Sequence, residues 1–128
     1  MKLLFARIVT NDVPALTRFY SELTGMTPSI LNDAYVEFQA TGSSLSISSQ
    51  ATMDTYGACA TTPRANRSMV LDFEVDDVDR EFSRVREMAC EIVLQPTNQP
   101  WGNRSMMFRD PEGNLINFYA PLRKPPER

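Results

Sequence analysis

The residues of this chain best equipped for chemistry are carboxylates unaccompanied by histidine. Glu37, Asp72 and Glu74 fall on strand-like runs, and none of the 128 residues is a histidine. Three converging carboxylates could hold a hard cation through oxygen ligands. They could also raise one another's pKa and create a general base. Either use requires all three to converge and Arg7 to stay out of the same space. Cys59 and Cys90 are the only cysteines, too few for a disulfide framework and with no histidine to activate a thiolate. They are expected to be reduced thiols in a cytoplasmic protein. On these residues no catalytic position, metal or cofactor is assigned, and holding a molecule is favoured over transforming one.

Composition narrows the function classes. The chain is 42% apolar and 23% charged, the balance of an ordinary globular domain. Its net charge of −3 argues against non-specific nucleic-acid binding. No window approaches the roughly 20 apolar residues of a membrane span. Met1–Ala6 has the Lys2 and apolar run of a leader's start, but Arg7 interrupts it and Asn11-Asp12 follows, so it reads as a first strand.

The elements that must position the carboxylates occur twice. Ala6-Arg7-Ile8-Val9-Thr10-Asn11-Asp12-Val13 is echoed by Leu71-Asp72-Phe73-Glu74-Val75-Asp76-Asp77-Val78, so that Asp12-Val13 aligns with Asp77-Val78. Each copy begins with an alternating strand. An acidic residue follows that suits a helix start, where it accepts from free N–H groups. Leu16, Phe19, Tyr20 and Leu23 then recur at helical spacing up to Gly25, and Val78, Phe82, Val85 and Met88 or Ala89 do so up to about Cys90. Strand-like runs follow at residues 29–31, 35–39 and 44–48, and again at 91–94, 105–109 and 115–119. The reading is α+β: two tandem βαβββ modules, at about 1–50 and 67–122. A linker at about 51–66, with room for a short helical turn, joins them into one domain. Residues 123–128 are expected to be a flexible tail.

These modules resemble the vicinal oxygen chelate superfamily, which includes glyoxalase I, the extradiol dioxygenases and the bleomycin-resistance proteins. The resemblance rests on Phe108-Arg109-Asp110-Pro111-Glu112-Gly113-Asn114 with Pro100-Trp101-Gly102, on Asn11-Asp12-Val13 with Phe19-Tyr20, and on Phe73-Glu74-Val75-Asp76-Asp77-Val78. It implies a curved, cup-like mixed sheet with helices outside, and a homodimer. It also implies metal ligands at four strand positions, which fall here on Phe5, Ser46, Val70 and Asn117. Phe5 and Val70 carry no ligand atom, and Ser46 and Asn117 are weak neutral donors. The resemblance is therefore to a metal-free branch, of the bleomycin-resistance kind, whose members hold a bulky drug.

Strand alternation assigns the faces. Ala6, Ile8, Thr10, Val36, Phe38, Leu71, Phe73, Ile116 and Phe118 are expected under the helices. The cup then receives Phe5, Arg7, Tyr35, Glu37, Ser46, Asp72, Glu74, Asn117 and Tyr119, with Ser48 and Gln39 beside them. Trp101 either stacks on a ligand or closes the core or an interface. Arg7 and Asp72 hold equivalent places in the two copies and are candidates for an ion pair as well as for ligand contact. The expected partner is a small molecule, aromatic or cationic, with no nucleic acid and no membrane. The alternatives are a lyase or dioxygenase with a carboxylate site, and an interaction domain whose cup is filled by its own aromatic residues.

Overall fold

Asp12 and Asp77 open the two long helices as the repeat predicts. The structure is a computed structural model that describes residues 1–122. The elements in order are β1 (Phe5–Thr10), α1 (Val13–Thr24), β2 (Ser29–Asn32), β3 (Tyr35–Gln39), β4 (Ser44–Ser49), α2 (Gln50–Asp54), β5 (Val70–Glu74), α3 (Val78–Glu87), β6 (Glu91–Asn98), β7 (Asn103–Arg109) and β8 (Leu115–Pro121). The Asp12 carboxylate accepts from Ala15 N–H at 3.0 Å, and Asp77 accepts from Arg80 N–H at 3.1 Å. Each satisfies a donor that the first helical turn leaves free. Gly25 ends α1 in the left-handed conformation and donates its N–H to Ser21. Ala89 takes the corresponding left-handed turn after α3, at φ 58°.

The chain divides into two compact units, Met1–Ala65 and one that begins at Asn66. Each is a βαβββ module with its own four-stranded mixed sheet, ordered β1-β4-β3-β2 in the first and β5-β8-β7-β6 in the second. The first strand of each runs parallel to the last, and the remaining pairs are antiparallel. The expected linker contains one short helix, α2, which packs on β1 and β4 of the first module. β6 is longer than the sequence suggests because it continues through Pro96. As an edge strand paired only with β7, it has no ladder bond to lose on its free side. Residues 123–128, expected as a tail, lie outside the described residues.

One face of each sheet is covered by its helix. Val13, Leu16, Tyr20 and Leu23 of α1 are buried, as are Val36, Phe38, Leu45 and Ile47 of β3 and β4. The Tyr20 ring lies 6.4 Å from that of Phe38. In the second module Val78 and Val85 are buried with Met106, Phe108, Ile116 and Phe118. Phe118 makes edge-to-face contacts with Phe108 at 5.0 Å and Phe73 at 5.7 Å, a favoured geometry for buried rings. Putting helix-facing residues on one side of every strand fixes which residues the other side presents.

Candidate functional site

The strand registers bring the candidate residues together module by module. In the first sheet Arg7 pairs with Ser46, which pairs with Glu37 on its other side. One row along, Val9 pairs with Ser48 and Ser48 with Tyr35; Phe5, Ser44 and Gln39 form a third row. All of these occupy the face opposite α1, the open face. Tyr35 Oη donates to Glu37 Oε2 at 2.9 Å, and Gln39 Nε2 donates to Glu37 Oε1 at 3.4 Å. The Arg7 guanidinium lies over the Tyr35 ring, 5.9 Å from its centroid, within cation–π range.

Beneath these groups are two hydroxyls. Ser46 and Ser48 are 1% and 0% exposed, and neither Oγ has a hydrogen-bond partner. Buried polar atoms are nearly always paired in native proteins, so two such hydroxyls two residues apart on one strand are unusual.

In the second module Asp72 pairs with Asn117, which pairs with Met107. Glu74 pairs with Tyr119, which pairs with Ser105. Asn117 Nδ2 donates to Asp72 Oδ1 at 2.9 Å, while Asn117 Oδ1 is buried without a partner. Ser105 accepts from Gln99 Nε2 at 3.1 Å. This face is acidic, with Asp72 and Glu74 both exposed. The observed partners of Arg7 and Asp72 thus lie within their own modules. Ser105 and Met107 belong to the open face although the sequence reading omits them. The buried Met106 and Phe108 were the alternating signal for both.

Trp101 sits in the turn between β6 and β7 and is 72% exposed, so it does not close the core. The neighbouring arginines are structural: Arg104 grips Asp79 of α3 through Nε and Nη2, both at 2.8 Å. Arg109 pairs with Glu91 at 3.1 Å and donates to the Gly113 carbonyl. Asp110, 5% exposed, builds the β7–β8 turn by accepting from Glu112 N–H, Asn114 N–H and Asn114 Nδ2. Asn66, within the expected linker, donates to Asn114 Oδ1 at 3.0 Å and ties the start of the second module to that turn.

The whole pattern, from duplicated module to turn motif, matches one family model over residues 2–118. The chain belongs to the Glyoxalase/Bleomycin resistance protein/Dioxygenase superfamily. A curated relative in Bacillus subtilis (strain 168), uncharacterized protein YraH, is 30% identical over 95% of this chain and 100% of its own length. A glyoxalase/bleomycin resistance protein/dioxygenase structure from Nocardioides superposes with a TM-score of 0.79 at 24% identity, covering 100% of this chain and 89% of that one. A protein of unknown function from Agrobacterium tumefaciens str. C58 gives a TM-score of 0.80 at 25% identity over 95% of both chains.

The four strand positions that the resemblance assigns to metal ligands are Phe5, Ser46, Val70 and Asn117. These residues do not fit a divalent ion. Two have no donor atom, and the other two are neutral. Ser46 is flanked in register by Arg7 on one side and Glu37 on the other, so a single carboxylate neighbours it and an arginine opposes it. Among the described residues, no group of three or more Cys, Asp or Glu side chains gathers as a metal site would require. No helix of the described residues is long and apolar enough to cross a membrane.

Proposed function

We propose that this superfamily member binds a small organic molecule on the open faces of its sheets without a metal, in the manner of a resistance-type binding protein. The observation that carries the reading is the pair of buried, unpartnered hydroxyls of Ser46 and Ser48. They sit among Arg7, Tyr35 and Glu37 on the sheet face opposite α1. Binding sites combine aromatic or apolar walls with a few placed polar groups. Here Phe5 and Tyr35 are the walls, and Arg7, Glu37 and the serines are the polar groups. In the second module Tyr119 is the wall, with Asp72, Glu74 and Asn117 as polar groups, an arrangement suited to a ligand with a cationic portion. Trp101, exposed on its turn, is available to stack on an aromatic ligand.

The residues at the four metal positions support binding over metal-assisted turnover. Calorimetry on tag-free protein tests the proposal, using bleomycin and planar cationic aromatic drugs with and without EDTA. Saturable binding that is indifferent to EDTA is expected. Stoichiometric tightly held metal by elemental analysis, with binding abolished by EDTA, would move the assignment to the metal-dependent enzymes of the superfamily.

A further inference from the structure

β4 lies between β1 and β3. Arg7 on β1 is in register with Ser46, and Tyr35 on β3 is in register with Ser48. Strands two places apart in a sheet are separated by about 9.5 Å. The contact between the Arg7 guanidinium and the Tyr35 ring, 5.9 Å to the centroid, is therefore made above β4. The two serine hydroxyls lie on the strand it crosses. Leaving a buried hydroxyl unpaired costs about 1–3 kcal/mol, and a chain that tolerates this twice on one strand commonly does so for function.

We propose that Ser46, Ser48 and Arg7 form a carboxylate subsite, with Tyr35 as the wall for the ring that bears the carboxylate. The proposal rests on the reading of this face as a ligand site, and it names the chemistry of one end of the ligand. Ser46 and Ser48 are two residues apart on an extended strand, so their Cα atoms are separated by roughly 6.5–7 Å. A carboxylate has oxygens about 2.2 Å apart and accepts an O–H bond of about 2.7 Å at each. It spans that gap. Serine hydroxyls donate, and donation to a charged acceptor is the stronger kind of hydrogen bond. Arg7 supplies the countercharge. Its contact in the structure is a ring face, an interaction worth about 0.5–1 kcal/mol at an exposed site, which a bidentate carboxylate outcompetes. An incoming acid thus draws the guanidinium off Tyr35 and frees the ring face for stacking. Glu37, the other neighbour of Ser46, is a like charge. Its two oxygens already accept from Tyr35 and Gln39, and this holds the carboxylate toward its own strand.

The test is an amide chemical-shift titration of the full chain with three probes of one shape: benzoate, benzamide and benzylamine. Benzoate is expected to shift Arg7, Ser46 and Ser48 saturably, with a Kd about tenfold or more below that of benzamide. The double variant Ser46→Ala, Ser48→Ala is expected to weaken benzoate by a similar factor. Arg7→Gln, at an exposed position that leaves the core intact, is expected to do the same. Equal binding of benzoate and benzamide, or benzoate binding unchanged in both variants, overturns the subsite. Benzylamine binding here in preference to benzoate also overturns it, yet leaves the small-molecule reading standing. Failure of all three probes here and of every drug in calorimetry would remove both.

Discussion

Arg7 and Tyr35 sit on strands that are not neighbours, yet the guanidinium of one lies 5.9 Å from the ring centroid of the other. The strand they bridge carries Ser46 and Ser48, whose hydroxyls are buried without partners. Two buried hydroxyls without partners are costly in the folded chain, and the proposed ligand site is built on them.

Replacing both serines by alanine tests the cost. Each substitution removes an unmade hydrogen bond and little packing volume, so urea denaturation is expected to show stability unchanged or raised by about 1 kcal/mol or more. A loss above about 1 kcal/mol would mean that both hydroxyls are bonded in solution.

The two helix ends give a paired prediction. Gly25 turns left-handed after α1 at φ 71°, and nothing lies within 4 Å of a Cβ added there. Gly25→Ala should therefore cost about 1 kcal/mol from conformation alone. Ala89 makes the same turn at φ 58° with its Cβ in place. Ala89→Gly should raise stability by about 0.5–1 kcal/mol, measured as a higher urea midpoint.

Asp110 is the polar centre of the β7–β8 turn. Asp110→Ala strands the N–H groups of Glu112 and Asn114 and the Asn114 amide, all of which donate to it. A loss of about 2–4 kcal/mol is expected. Because Asn114 also holds Asn66, hydrogen exchange should speed up around residues 66–69 as well as in the turn.

Much of this was legible in the chain. Alternation along Phe5–Thr10 and Val70–Glu74 identifies both faces, because the side-chain period of a strand is two. Asp12, Asp77 and Gly113 mark helix starts and a turn through local chemistry. Neighbouring strands are another matter. That β4 separates Arg7 from Tyr35 depends on a parallel pairing between residues about 40 positions apart, which no local pattern encodes. Burial of Ser46 and Ser48 follows from that pairing and is equally hidden. The Asn66–Asn114 bond joins residues 48 apart and left no signal. Pro96 concealed the length of β6, since only an edge position makes a strand proline tolerable.

The Arg104 bridge to α3 gives a pH prediction. Its hydrogen bonds hold the Asp79 carboxyl below the usual aspartate range. A depressed folded pKa contributes stability above the unfolded pKa, and that contribution is lost as pH falls through the folded value. The Asp79 side chain is 61% exposed and that of Arg104 32%, so solvent screens the pair and the contribution is at most about 1 kcal/mol. Asp79→Asn should lower stability at neutral pH and erase the difference from the parent under strongly acidic conditions, followed by denaturation at each pH.

The most direct test of metal-free binding on the open sheet face is a crystal structure of EDTA-treated, tag-free protein with its tightest ligand from calorimetry. Ligand density is expected against Tyr35, Ser46 and Ser48, with Arg7 moved off the ring and no anomalous metal peak. A ligand held through a metal ion, or one bound away from this face with the serines still buried and empty, would contradict it.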